Sequence, residues 1–307
     1  MKVELNKIYH ADNARFTPSI PDGFLDVILE DPPYLYLKNQ KLDRPFDEVA
    51  HFTECARMLK EGGFIVIFGR GESFYRWNTI LADLGFTFKE EIIWNKVRTS
   101  SPVASLSRVH ETVAIWSKGN QSINKVRIPY LEVKGHDIDG IITDINRIKI
   151  GLNNPVSFVR LKEFLLINKN RKEPLRLDTE APHKPSTTLS GKSTSSRDRS
   201  VNCMQSLEFG FVEKSIMQIS REHYNTIHPT QKPPRLLERL LALVIPQDKP
   251  RNEIKVADFF GGSCNTAKAC MSMGLNYIIT EIDKEYYDLG VENVEKFKEE
   301  FNLKLDF

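Results

Sequence analysis

Phe24-Leu-Asp-Val-Ile-Leu-Glu-Asp31-Pro32-Pro33-Tyr34 runs a buried strand into a rigid corner. Its apolar stretch, with β-branched members, reads as a parallel strand covered on both faces. The two prolines end that strand, because neither can donate to a ladder and each fixes φ. The corner is therefore expected at the carboxyl edge of an open α/β sheet, where such folds place their ligands. Asp31 and Tyr34 flank it, a hydrogen-bond acceptor beside a flat π-face, which suits a planar, amine-bearing substrate such as a nucleobase. The plainer reading is a Pro-Pro turn with an incidental acid and tyrosine, and a distant second motif decides between the two.

Working outward, the chain alternates between the two helical and extended periods. Val49, Phe52, Ala56 and Leu59 fall at helical spacing, and Gly62-Gly63 read as the stop of that helix. Phe64 to Phe68 is a continuous apolar strand, residues 72–84 a second helix closed by Gly85, and residues 91–94 and 112–116 short strands. Between Gly119 and Tyr224 the apolar residues lose a sustained period, and Ile141 to Ile145 reads as a short β-like run among loops. Residues 185–200 are polar and basic with almost nothing to bury, so they are expected to be flexible unless a partner orders them. Order returns with a helix over 236–244, a strand over 254–258, a helix over 266–273, a strand over 277–281 and a charged helix from Lys284 to about residue 300. This predicts three segments: one catalytic half over 1–118, an insert over 119–223, and a cofactor half over 224–307 that rejoins the first in one sheet.

With 40% of its 307 residues apolar, the chain can bury a substantial core. It contains no apolar run long enough for a transmembrane helix, and its first residues do not resemble a signal peptide. Cys55, Cys203, Cys264 and Cys270 form no CxxC pair and no zinc-type spacing, so reduced thiols in a cytoplasmic protein are expected, with no metal. The net charge of +2 hides an asymmetry: residues 121–222 hold 17 Lys and Arg against 12 Asp and Glu, while the remainder is acidic. A basic middle segment suits a polyanion.

The second motif is Val256-Ala-Asp258-Phe-Phe-Gly261-Gly262-Ser-Cys264-Asn-Thr266, a strand, a glycine turn and a helix start, with Glu281 at the end of the next strand. Glycine lets backbone approach a ligand, a helix N-terminus offers free N–H groups, and an acid on the second strand suits ribose hydroxyls. Together with Ala11-Asp12, the Asp31 corner, Leu59-Lys-Glu-Gly-Gly63 and His228-Pro-Thr-Gln-Lys-Pro233, the order of motifs resembles the β-class amino-directed DNA methyltransferases that use S-adenosylmethionine. The resemblance covers residues 10–117 and 224–287.

That resemblance implies a Rossmann-like, mostly parallel α/β methyltransferase sheet with circularly permuted motif order and an inserted target-recognition region. It implies that Asp31 and the Pro32 carbonyl accept hydrogen bonds from the exocyclic amine, and that Tyr34, beyond Pro33, stacks on a base swung out of the duplex. Asp258, Phe260, Gly262, Ser263, Asn265 and Thr266 would wall the cofactor site. Glu281 would hold its ribose, Asp12 would lie near its adenine, and Thr230, Gln231 and Lys232 would face its methionine end. Transfer would be a direct displacement driven by positioning, with S-adenosylhomocysteine as product and no covalent intermediate. Asp at the first motif position favours adenine N6, and cytosine N4 stays the alternative. Arg98, Lys125, Arg127, Arg197 and Arg199 are the expected DNA contacts, and His110-Glu111 resembles a further landmark. The family is bacterial or phage-encoded, and its members include homodimers and partners of a cognate restriction endonuclease. Methylation of RNA or protein, or a catalytically silent DNA-binding or cofactor-sensing protein, are the rival readings. One departure stands out: Cys264 occupies a position where the family usually carries glycine, and a requirement for positive φ there would cost on the order of 1 kcal/mol.

Overall fold

The computed structural model describes residues 3–35, 43–97, 106, 108–135, 137–151, 203, 205–221, 227, 228 and 230–305. In its first third the chain runs β1 (Lys7–His10), a single-turn α1 (Asn13–Phe16), β2 (Leu25–Glu30), α2 (Glu48–Met58), β3 (Leu59–Gly69), α3 (Gly71–Asp83), β4 (Thr87–Asn95) and β5 (His110–Ser117). The middle contributes β6 (Arg127–Ile128), α4 (Tyr130–Lys134), α5 (Ile138–Gly151), β7 (Phe211–Val212) and β8 (Ile216–Gln218). The last third adds α6 (Pro234–Val244), β9 (Lys255–Asp258), α7 (Asn265–Met273), β10 (Asn276–Glu281) and α8 (Lys284–Leu305). The chain divides into two compact units, residues 1–124 with 214–307, and residues 125–213.

The larger unit is built on one sheet in the order β1-β10-β9-β2-β3-β5-β4-β8. β1, β10, β9, β2 and β3 are mutually parallel, and β5 runs antiparallel to both β3 and β4. Every residue of β2 is buried, as a strand covered on both faces requires. After β2 the chain passes through α2 to β3 on one side, and after β9 it passes through α7 to β10 on the other. The loops leaving β2 and β9 therefore diverge, which opens a crevice at the carboxyl ends of these adjacent strands. A core of Phe52, Met58, Leu59, Ile65 and Trp77 fixes α2 and α3 to the sheet. This is the α/β methyltransferase-type sheet expected from the motif order.

Two local expectations fail. Helix α2 ends at Met58, and Gly62-Gly63 lie inside β3 rather than at a helix stop. The reason is pairing: Gly62 N–H donates to Lys118 O, and Lys118 N–H donates to Gly63 O, so strand hydrogen bonds claim the glycines. Ile141 to Ile145 is helical, within α5. Ile141, Ile145 and Ile148 recur at helical spacing and pack with Tyr130 and Leu207 in the small core of the 125–213 unit, and that face outweighs β-branching. In the same unit the Tyr130 and Phe211 rings stack at 5.6 Å, and the Tyr130 hydroxyl donates to Asp144 at 3.0 Å. No helix among the described residues is long and apolar enough to cross a membrane.

Candidate active site

A cavity of about 550 Å³ lies at the β2–β9 crevice. The Asp31–Tyr34 corner, Asp12, Thr230, Gln231, Lys232, Asp258, Phe260, Gly262, Ser263, Asn265, Thr266 and Glu281 all line it. Its size falls within the range of small-molecule and cofactor sites.

At the corner, the Tyr34 hydroxyl donates to Asp31 Oδ1 at 2.5 Å, and the Ser73 hydroxyl anchors the Tyr34 carbonyl. The other Asp31 oxygen is paired with Lys232, whose Nζ also lies 3.2 Å from Glu111 Oε2. Lys96 closes the chain of charges with a 3.0 Å contact to Glu111 Oε1. Lys232 is buried and sits 4.9 Å from the centre of the Phe68 ring. Burial pushes the Asp31 carboxyl upward in pKa, against the pull of the Lys232 charge. Burial also opposes ionisation of Glu111, but the Lys232 and Lys96 charges outweigh it and hold that carboxyl below its usual range. Burial disfavours the Lys232 ammonium, yet the two carboxylates together raise its pKa. Four alternating charges thus lock one another at the mouth of the corner.

Across the cavity the glycine turn is fixed by carboxylates. Asp258 accepts from Phe260 N at 3.0 Å and from the Thr266 hydroxyl at 2.6 Å. Burial nevertheless raises its pKa to about 7. Glu281 accepts from Gly262 N at 2.7 Å and from Asp283 N at 2.8 Å. Each carboxylate oxygen keeps a further lone pair. Asn265 donates to the Lys232 carbonyl at 2.8 Å, tying the Thr230–Lys232 segment to the start of α7. Asp12 caps α1 through Ala14 N at 3.0 Å, and Ala11 N bonds the Glu281 carbonyl, which brings the β1 loop to the same wall. Cys264 has φ +57°, so the left-handed conformation anticipated at this position is present without glycine. Its buried thiol projects toward Gly290 of α8, where an added Cβ would lie 2.6 Å from Cys264 Sγ.

Several lining residues carried no clear signal in the sequence: Arg44, Phe46, His51, Arg221 and Asp283. Asp283 pairs with Arg44 at 3.1 Å, and an acid two residues past Glu281 was the available hint. His228 also lines the cavity, 4.5 Å from the Tyr286 ring, and burial followed by the Lys232 charge depresses its pKa to about 4. Of the expected DNA contacts, Lys125 is exposed, while Arg127 donates to the Gly210 carbonyl at 3.0 Å inside its own unit. Arg98, Arg197, Arg199 and the 185–200 segment lie outside the described residues.

A family model described as DNA methylase matches residues 25–292 of the chain. The type II methyltransferase M.HinfI of Haemophilus influenzae is 23% identical over 321 residues, covering 96% of this chain and 69% of that protein. M.BglII, a type II methyltransferase of Bacillus subtilis, is 24% identical, covering 94% and 69% respectively. The fold is similar to that of the PvuII DNA methyltransferase (cytosine-N4-specific), with TM-score 0.55 and 15% identity over 98% of this chain and 93% of that one. The M1.HpyAVI-SAM complex matches with TM-score 0.50 and 19% identity over 93% and 98%.

Proposed function

Because the chain belongs to the DNA methylase family, it is an S-adenosylmethionine-dependent DNA methyltransferase, and we propose that its acceptor is the exocyclic N6 amine of adenine in duplex DNA. The observation that carries this reading is the single cavity shared by the Asp31 corner and the Gly262–Glu281 wall. An acceptor for an amine and a seat for a nucleoside-type donor face the same space. Asp31 stands at the first position of its motif, the feature that favours adenine.

When bound, S-adenosylmethionine supplies a methyl group on a sulfonium, already activated for displacement. The residues at hand suit it: Glu281 retains lone pairs for ribose hydroxyls after accepting from Gly262 and Asp283. Lys232 is a buried cation suited to the methionine carboxylate. Asp31 and the Pro32 carbonyl accept the two amine hydrogens, favouring a pyramidal nitrogen whose lone pair faces the methyl group. Tyr34 stacks on the flipped base. In this reading the basic 119–223 segment recognises the target, with Lys125 and Arg127 among its cations, and phosphate contacts position it.

Incubation with labelled S-adenosylmethionine and unmodified duplex DNA, followed by digestion to nucleosides, tests the proposal. The expected product is N6-methyladenine. N4-methylcytosine would move the acceptor to the other base, and label only in RNA or protein, or in none of the substrates, would overturn the reading. Asp31→Ala should lower transfer by roughly a hundredfold or more while leaving S-adenosylhomocysteine binding largely intact. Loss of that binding would remove Asp31 from the role of amine acceptor.

A further inference from the structure

Beneath the Asp31 corner, Glu30 from the end of β2 meets His51 and Cys55 from α2. His51 Nε2 lies 2.9 Å from Glu30 Oε1 and 3.5 Å from Cys55 Sγ, and one donor atom from each residue falls within 4.8 Å of the others. All three side chains are buried. We propose that Glu30, His51 and Cys55 form a binding site for a thiophilic divalent cation of the zinc type, separate from the methyl-transfer chemistry.

Three observations carry the proposal. The first is the donor set and its spacing. Carboxylate, imidazole and thiol are the usual zinc ligands, and a tetrahedral ion holds its donors roughly 3.3–3.8 Å apart. The His51–Cys55 separation already fits, being an i,i+4 pair on one helix face. The His51–Glu30 contact would need to open by a few tenths of an ångström. The second is Glu30 Oε2, which is fully buried and has no hydrogen-bond partner among the described residues. An orphaned buried carboxylate oxygen calls for an ion or water, and a metal-bound water in the fourth position would give it a donor. The third is charge. Glu30 and a Cys55 thiolate carry two negative charges, so a divalent cation leaves the buried site neutral.

Aromatic rings enclose the site. Phe46, Phe52, Phe259 and Phe260 surround the His51 ring with centroid distances of 5.1–6.0 Å, which fixes the imidazole and leaves an apolar surround. Binding must expel the Cys55 proton to solvent, with His51 coordinating through Nε2 as the neutral ring. Because that proton is released on binding, the affinity should fall with acid. Occupancy would pin α2 to the residue directly before Asp31, stiffening the corner without entering the reaction.

The test uses the full chain, stripped with a chelator, dialysed and titrated with Co²⁺. The expected result is a thiolate-to-cobalt charge-transfer band saturating at one equivalent, displaced by Zn²⁺, with a raised unfolding temperature. Cys55→Ala should lose the band, and Glu30→Gln should weaken Zn²⁺ binding roughly tenfold or more. Cys203→Ser, in the 125–213 unit, should keep the band. Retained S-adenosylhomocysteine binding certifies that each variant is folded. If Cys55→Ala fails to fold, the wild-type band and stoichiometry decide. No band in the wild type, or a band that survives in folded Cys55→Ala, overturns the proposal and leaves a hydrogen-bonded Glu–His–Cys cluster.

Discussion

The contact between Cys264 and Gly290 sets up a double-mutant cycle whose outcome follows from geometry. Cys264 sits at φ +57°, and a Cβ built on Gly290 would lie 2.6 Å from its sulfur and 3.3 Å from the Gly262 carbonyl oxygen. Gly290→Ala alone therefore overpacks the α7–α8 junction, at about 1–3 kcal/mol. The higher helix propensity of alanine returns only about 1 kcal/mol of that. Cys264→Gly alone is close to neutral: it relieves about 1–2 kcal/mol of left-handed strain and loses the packing of a buried thiol worth a similar amount. In the double variant the sulfur is gone, the alanine methyl group occupies part of its space, and the propensity gain is realised. Gly290→Ala should thus destabilise the parent protein but stabilise the Cys264→Gly background by about 0.5–1 kcal/mol, a coupling of about 1–3 kcal/mol. Urea unfolding of the four proteins, with a common slope, measures it. Additivity within about 0.5 kcal/mol would refute the account, because the two residues would then not share the space the structure gives them.

Glu281→Ala releases the Gly262 and Asp283 N–H groups together with the proposed ribose acceptor, and should weaken S-adenosylhomocysteine binding by roughly 10–100-fold; calorimetric titration reads the change, and an unaltered affinity would contradict it. His228 should impose acid sensitivity. Its folded pKa of about 4 lies below the ordinary 6.5, so its contribution is complete above pH 6.5 and is lost as pH falls towards 4. The loss should amount to about 1–3 kcal/mol, and His228→Gln should flatten that limb of the stability–pH curve; an unchanged limb would assign the sensitivity elsewhere.

What the sequence made legible were features encoded over a few consecutive residues. The apolar run into Pro32-Pro33 could only be a strand ending in a corner, and Gly261-Gly262 before a helix start could only be a turn. Asp31 and Glu281 came with those motifs. The failures have a common physical origin in contacts that join distant segments. Gly62-Gly63 look like a helix stop until Lys118 claims their hydrogen bonds, and Ile141 to Ile145 looks extended until Tyr130 offers it a helical face. The pairing of Lys232 with Asp31 and Glu111 joins three segments, and no spacing announces it. The Glu30–His51–Cys55 cluster gave no signal in the sequence, because its carboxylate comes from a strand that meets the helix only in the fold.

The seam at the middle of the sheet has a kinetic meaning. Val27 of β2 lies in register with Val256 of β9, and Lys255 N–H donates to Asp26 across 229 residues of chain. During synthesis β2, β3 and their helices can collapse early, with one flank of β2 left open until β9 emerges. That flank is an apolar, unpaired strand edge, the kind of surface on which nascent chains aggregate or recruit chaperones. The same long separation means that the complete cavity cannot form until the last third of the chain has been made. A truncated chain can carry the Asp31 corner but not the Gly262–Glu281 wall, so the cavity is completed in one late step when the seam closes.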